Sequence, residues 1–316
     1  MTASDREFDE LVAPYRAELQ AHCYRMLGSM HDAEDALQDA LIGAWRGLDG
    51  FEGRSSLRSW LYRISTNSCL RLLKDRPKRL LSADFGPPRG PDDDLGAPVD
   101  AAWLEPCPDE FLPLGPPESS YELRESVELA FVAALQHLPA NQRAVLIMRE
   151  VLGFSAAEVA ESLDTSVASV TSALQRARKT VEDRVPARSQ QATLTALGSE
   201  GERELVQKFV TAWENADIAE ILTMLTDDVR FTMPPLAAWF DGIDDVGAFI
   251  GRHVFATPWR LTPTRSNGQV AFVCHQGTSD GAHFAVGAVN VLTFEGNKIK
   301  AIQAFLDPAV LARFTS

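Results

Sequence analysis

Residues 155–179 read SAAEVAESLDTSVASVTSALQRARK, and the spacing of their apolar side chains predicts two helices joined by a short break. Ser155 stands where an N-cap belongs, with Glu158 three residues on to close a capping box. Ala156, Val159, Ala160 and Leu163 then fall on one face at i, i+3, i+4 and i+7. A second helix opens near Ser166 and turns Val167, Val170, Leu174, Ala177 and Val181 inward. Its start carries Ser166 and Ser169, and its outer face carries Ser172, Gln175, Arg176 and Lys179. Small and amide side chains near the front of such a helix can approach base edges, while Arg and Lys further along hold phosphates. An amphipathic hairpin with a solvated basic face has the same pattern, so the rest of the chain has to decide.

At first sight the rest of the chain argues against phosphate. Its 316 residues carry a formal charge of −14 and a sequence pI of about 4.9. The charge is unevenly distributed, however. Residues 54–79 hold eight basic side chains against Asp75 alone, and residues 81–120 hold nine acids against Arg89 alone. A swing of that size across adjoining segments points to separate partners or to mutual masking. Cys23, Cys69, Cys107 and Cys274 are scattered without metal-ligand spacing and read as ordinary thiols, so no metal and no cofactor is expected. No apolar run approaches the ~18 residues needed to cross a bilayer, and the opening MTASDREFDE is too charged for a signal peptide. The expectation is a cytoplasmic protein without membrane contact.

The length favours two or three domains. Residues 8–77 read as helical. Residues 78–120 change character, with nine prolines and four glycines between 81 and 120, and read as an acidic linker unable to bury enough surface to order itself. Helical spacing resumes over 121–185, and 186–200 reads as a second linker. From 201 to 316 helical spacing in ERELVQKFVTAWENA and DIAEILTMLTD gives way to strand-like VRFTM, QVAFVCHQG, HFAVGAVNVLTF and KIKAIQAFL. That order suggests an α+β domain with helices on one face of a curved antiparallel sheet.

Within the first segment, SMHDAEDALQDALIGAWRGL (29–48) makes a strong helix, with Ser29 as cap and Asp32 as the acidic third residue. Ala33, Ala36, Leu37, Ala40, Ala44 and Leu48 form its buried stripe. The outer face carries Asp35, Gln38, Asp39, Ile42 and Arg46, an isoleucine set among charges. FEGRSSLRSWLYRISTNSCLRLLKDR follows, a basic helix with embedded aromatics, which suits single-stranded DNA because bases stack and phosphates pair.

DAEDALQDALIGAWR followed by FEGRSSLRSWLYRISTN resembles region 2 of the σ70-family sigma factors of the extracytoplasmic-function group, and LPANQRAVLIMREVLGFSAAEVAESLDTSVASVTSALQRAR resembles their region 4. The two motifs stand in the family's order and cover most of residues 8–184. The resemblance implies an all-α region 2 and an all-α region 4 helix-turn-helix. It implies that Asp35, Gln38, Asp39, Ile42 and Arg46 dock on the β′ clamp helices of core RNA polymerase, with the β flap as a further contact on the polymerase. It further implies promoter DNA as a partner. Arg54, Ser55, Ser56, Arg58, Tyr62, Arg63, Asn67 and Arg71 would open and hold the minus-10 element, and Ser166, Ser169, Ser172, Gln175, Arg176 and Lys179 would read minus-35. Trp60 falls in a stripe with Leu57, Leu61 and Ile64 and is expected in the core. The chain departs from the pattern at Asp164, where the family turn usually has glycine, and at Thr171, where a basic or amide residue is common.

Residues 201–316 resemble the SnoaL-like, NTF2-like cone fold, chiefly in MPPLAAWFDGIDDVGAFI. Trp213, Phe231, Met233, Trp239, Asp241 and His283 are candidates to line its pocket, with Asp241 and His283 as the best candidates for a general base should the domain have enzymatic relatives' chemistry. The reading is a sigma factor without catalysis of its own, whose last domain regulates it through an intramolecular contact or a small ligand. Two alternatives stay open at this level: a one-component regulator sensing a ligand through the cone, or an NTF2-like enzyme with a DNA-binding appendage.

Overall fold

The computed structural model describes residues 3–53, 55–114 and 124–315. They form two compact units, residues 1–79 with 109–187, and 80–108 with 188–316.

The first unit is helical. Its opening half contains α1 (Ala3–Val12), α2 (Arg16–Leu27), α3 (Met30–Gly47) and α4 (Leu57–Asp75). Gly28, at φ 66°, ends α2 in the left-handed conformation, and the Ser29 hydroxyl then accepts from the Asp32 amide at 3.1 Å to start α3. Ala33, Ala36, Leu37, Ala40 and Ala44 are buried, as the spacing predicts. The Asp32 carboxylate is buried and pairs with Arg76 at 3.2 Å and with Arg79, which ties the basic tail of α4 back to α3. Trp60 lies half-buried against Phe51, ring centres 4.9 Å apart.

The second half contains α5 (Leu129–Gln136), α6 (Ala140–Leu146), which continues into a π turn at Ile147–Val151, α7 (Ala156–Ser162) and α8 (Val167–Glu182). The capping box is present: the Ser155 amide donates to Glu158 Oε2 at 2.7 Å, and the Glu158 amide donates to Ser155 Oγ at 3.2 Å. The backbone and hydroxyl donors of Ser155 hold the Glu158 carboxyl below its usual range. Asp164 takes a left-handed φ of 49° in the turn before α8, doing the work glycine would do. Val170, Leu174, Ala177 and Val181 are buried, but Val167 is 49% exposed. It lies in the first turn of α8, beyond the reach of the core that α7 and α6 supply.

The two halves share one interior. Arg143 of α6 is buried, donating to Gln136 Oε1 at 2.7 Å, to the Leu138 carbonyl at 3.2 Å and to the Met26 carbonyl at the end of α2. Burial lowers its pKa to about 10. Buried Arg25 donates to the Ser126 carbonyl at 3.1 Å. Charged donors that each satisfy carbonyls left open at helix ends compensate for their own desolvation.

The second unit has α9 (Gln190–Glu214), α10 (Ile218–Met224), β1 (Leu225–Thr232), β2 (Trp239–Asp241) and α11 (Ile243–Phe249), which continues into a π turn at Ile250–Val254. Then follow β3 (Trp259–Ser266), β4 (Gln269–Gly277), β5 (Phe284–Glu295), β6 (Lys298–Phe305) and α12 (Pro308–Ala312). The six strands run in the order β2-β1-β6-β5-β4-β3. The sheet is mixed, which corrects the antiparallel expectation: β1 pairs β6 in parallel, through Phe231↔Ile302. β1 and β6 lie far apart in sequence, so the intervening elements supply the crossover that parallel neighbours require. Helix α9 covers the sheet through Phe209, stacked on Phe272 at 5.1 Å, and through Trp213.

Both linker expectations need correction. Residues 80–108 belong to the second unit and lie along it. The Leu80 amide donates to the Ala102 carbonyl at 2.9 Å, closing the segment on itself, and the Arg89 and Val99 amides donate to Trp239 and Pro235 carbonyls at 2.7 and 2.9 Å. The Trp239 indole N–H donates to the Gly86 carbonyl at 2.9 Å. At the far end the Cys107 amide donates to Asn267 Oδ1 at 2.8 Å, and the Asn267 amide returns the bond to the Cys107 carbonyl at 2.9 Å. Composition argued correctly that this segment cannot build a core of its own; its partners come from a domain that begins 80 residues later in sequence. Residues 115–120 lie outside the described residues. The second supposed linker is the front of α9, capped by Ser189 and broken at Gly198, φ 77°. Gln190 brackets the Phe294 backbone, donating at 3.0 Å and accepting at 2.7 Å, and Leu194 joins the core.

Candidate functional site

Three helical faces and one cavity hold the candidate residues. On α3, Asp35, Gln38, Asp39, Ile42 and Arg46 are all exposed on one side. Gln38, Ile42 and Arg46 line an open groove of about 690 Å³ together with Phe8, Leu41 and Trp45. Ile42 is 42% exposed and Trp45 49%. Trp45 is missing from the sequence-level set, although its place three residues after Ile42 on the same face was the available signal.

On α4 the candidates divide. Arg63, Asn67 and Arg71 are exposed at i, i+4 and i+8, one line along the helix, with Arg71 donating to Ser68 Oγ at 3.0 Å. Ser56 is spent as the helix cap, accepting from the Ser59 amide at 3.0 Å, and Ser55 is half-buried beside it. Arg58 grips Glu18 of α2 through both carboxylate oxygens, Nη2 donating to Oε2 at 3.0 Å and Nε to Oε1 at 3.2 Å. Tyr62 is the correction: it is fully buried, wedged edge-on between His22 at 5.2 Å and Phe154 at 5.5 Å, with the Arg58 guanidinium 4.8 Å over its ring. Burial pushes its phenol pKa up. Burial, then the neighbouring Arg25 and Arg58 charges, push His22 down to about 3, and the neutral ring meets Thr66 Oγ1 at 2.9 Å. Position 62 lies on the same side of α4 as Thr66 and Cys69, a packed side that aromatic content alone could not reveal. Arg54 lies outside the described residues.

On α8 all six candidates are exposed. Ser166 caps the helix, accepting from the Ser169 amide at 3.1 Å, and Ser172, Gln175, Arg176 and Lys179 stand outward. Thr171 turns its hydroxyl back to the Val167 carbonyl at 3.0 Å. Arg178 leaves this face to pair with Glu150. Exposed Val167, which sequence spacing placed in the core, adds an apolar side chain to the front of the helix.

In the second unit, a cavity of about 260 Å³ is lined by Trp213, Phe231, Met233, His253, Asn290 and neighbours. Three pocket candidates do not line it. Asp241 is exposed and paired with Arg230 at 3.0 Å, His283 is exposed on the loop before β5, and Trp239 turns its indole to Gly86. The period-2 alternation of strands decides this: Phe231 on β1 and Met233 just past its end point inward, and Asp241 pairs in register with outward-facing Arg230. Among the described residues no group of three or more His, Cys, Asp or Glu could hold a metal, and no helix is long and apolar enough to cross a membrane.

These faces have known counterparts. Residues 11–79 match the model of sigma-70 region 2, residues 128–181 that of sigma-70 region 4, and residues 206–302 that of the SnoaL-like domain. The chain is 39% identical over 312 residues to the extracytoplasmic-function RNA polymerase sigma factor SigG of Mycobacterium tuberculosis, covering 98% of this chain and 83% of that protein. It is 32% identical to the RNA polymerase sigma-H factor of Pseudomonas aeruginosa over 56% of this chain and 85% of the other. The crystal structure of the Mycobacterium tuberculosis sigma factor SigJ has the same fold, with a TM-score of 0.61, 21% identity and 98% of each chain covered. The molecule is therefore a promoter-specificity factor of RNA polymerase in fold and in sequence. The chain belongs to the extracytoplasmic-function sigma factors, and it carries a SnoaL-like C-terminal domain. Membership brings core RNA polymerase and promoter DNA as its partners.

Proposed function

We propose that this sigma factor is restrained in cis by its own SnoaL-like domain, which acts in the cytoplasm as a regulatory module without catalysing a reaction. One observation carries the reading: the segment joining regions 2 and 4 in sequence, residues 80–108, is tied by backbone hydrogen bonds along that domain. Fully extended, such a segment would span on the order of 100 Å, enough to let regions 2 and 4 reach two separate promoter elements. Laid along the domain, it has no slack. Within the first unit the Tyr62–Phe154 and Arg143–Met26 contacts hold the two regions to one another, so promoter reading requires both the segment and these contacts to yield.

In the polymerase-bound state, Asp35, Gln38, Asp39, Ile42, Arg46 and Trp45 of α3 dock on the β′ clamp helices, and region 4 meets the β flap. Arg63, Asn67 and Arg71 hold the minus-10 strand, with Arg58, Ser55, Ser56 and Arg54 nearby, and α8 enters the minus-35 major groove through Ser166, Ser169, Ser172, Gln175, Arg176 and Lys179.

Run-off transcription with core polymerase tests the restraint. The full chain is compared with a chain ending at Ala187 and with full-length Asn267→Gly, which keeps the left-handed backbone at φ 57° but deletes the bond to the Cys107 amide. Higher output from both altered chains is expected. Equal output and equal promoter preference from all three would overturn the reading.

A further inference from the structure

The cavity of the second unit contains an unmet demand for hydrogen bonds. Trp213 is 2% exposed and its indole N–H has no partner; Asn290 is 2% exposed and its Oδ1 has none. Both residues line the cavity. The other indole there, Trp259, donates to the Val254 carbonyl at 2.7 Å, so the open donor on Trp213 is particular to its place. A buried polar atom without a partner is costly, and an unpartnered donor and an unpartnered acceptor on two residues that line one cavity call for an occupant that supplies the complement.

The walls define the rest of that occupant. Phe231, Met233, Phe249, Ala288 and Ala304 make them mostly apolar, His253 and Gln276 add polar side chains, and no Asp, Glu, Lys or Arg takes part. A charged ligand would find no carboxylate, ammonium or guanidinium to pair with. The volume of about 260 Å³ lies between the ~150 Å³ that admits a benzene ring and the ~300 Å³ at which drug-sized sites begin. One or two fused rings fit.

The cavity also has a cover. Leu95 of the 80–108 segment is among its lining residues, a leucine in PDDDLGAP with exposed Asp92, Asp93, Asp94 and Gly96 around it. It is anchored on both sides, by the Arg89 amide on Trp239 and by the Val99 amide on Pro235, while Asp92 pairs with Arg252.

We infer that the cone binds a small uncharged ring compound bearing a hydroxyl, through Trp213 Nε1 and Asn290 Oδ1, and that Leu95 closes over it, so that ligand and segment stabilise one another's binding. The hydroxyl oxygen accepts from Trp213 and its hydrogen goes to Asn290. Filling the cavity adds contacts to Leu95 only while the segment lies in place, and by linkage whatever loosens the segment weakens the ligand by the same factor. The consequence for transcription rests on the restraint proposed above; the binding does not.

The probe is 2-naphthol, compared with 2-methylnaphthalene, which replaces the hydroxyl by a methyl group. Binding to the full-length chain is measured by isothermal titration, and segment closure by trypsin cleavage after Arg89, the one basic residue of 80–108. The expected result is one site per chain and at least tenfold preference for 2-naphthol, lost in Trp213→Phe, which keeps the ring and removes the N–H. Leu95→Asp, at a half-buried position on the edge of the core, should weaken 2-naphthol severalfold, and 2-naphthol should slow the cut at Arg89 in the native chain. Absence of binding, equal affinity for the two probes, or cleavage indifferent to 2-naphthol would overturn the inference. The assay contains no polymerase, so its failure leaves the transcriptional reading standing, and failure of the run-off test leaves the site standing.

Discussion

The two helices assigned to DNA, α4 and α8, differ in how much of their reading surface is free. Helix α8 faces solvent with every candidate from Ser166 to Lys179, and only Arg178 is drawn into an ion pair. Helix α4 has engaged two of its five candidates: Tyr62 packs under Phe154, Arg58 grips Glu18, and Arg63, Asn67 and Arg71 remain. The face proposed for minus-35 is thus complete as it stands, and the face proposed for minus-10 is partly consumed by the contact that holds the two regions together. A face rich in aromatics serves DNA or the core equally well until its neighbours are known.

The contact can be broken from the Phe154 side, with the largest effect expected. Phe154 is 6% exposed and touches both Tyr62 and Arg58, so Phe154→Ala should cost about 3 kcal/mol in urea unfolding while exposing Tyr62. If Tyr62 fluorescence and stability are unchanged, the contact does not hold the regions together. The next effect is pH. His22 is neutral in the folded chain down to about 3 and has an unfolded value of 6.5, so its contribution is complete above pH 6.5 and falls away as pH drops towards 3. Between pH 6.5 and 5 the loss should reach about 2 kcal/mol, and His22→Gln should flatten the slope in that window.

Smaller effects sharpen the contrast. Arg63→Ala should lower formation of the open promoter complex about tenfold, whereas Tyr62→Phe should leave it within about twofold, because the Tyr62 ring is already engaged in packing. Comparable losses from both, read by permanganate footprinting, would mean that Tyr62 leaves the core to meet DNA. The smallest effect belongs to α8: Val167→Ala should cost about fivefold in binding at promoters with thymine opposite it and nothing elsewhere, measured with holoenzyme on a panel of minus-35 substitutions.

Local chemistry made the helical half legible. Ser29, Ser155 and Ser166 were identifiable as caps because each lies where a hydroxyl can meet an amide two or three residues on, and all three do so. Apolar spacing gave the α3 stripe and four of five inward residues of α8; Val167 was misplaced because periodicity says which way a residue points and not how far the core extends. In the C-terminal domain β4 was readable from QVAFVCHQG, while β3, with Pro263 and few strand formers, and the parallel β1–β6 pairing were not. Trp213, Phe231 and Met233 do line the cavity; Asp241, His283 and Trp239 do not, since polarity marks a residue as interesting without fixing its face.

By itself the sequence determined the order of the domains, the helix starts, the outward basic face of α8 and the family, because these depend on neighbours a few residues away or on long matched motifs. Only the tertiary structure decided that residues 80–108 are ordered, that Tyr62 is interior, and that an indole and an amide without partners belong to residues lining one cavity. Each of those depends on groups brought together across many tens of residues, and packing of that kind leaves no local signature in composition or periodicity.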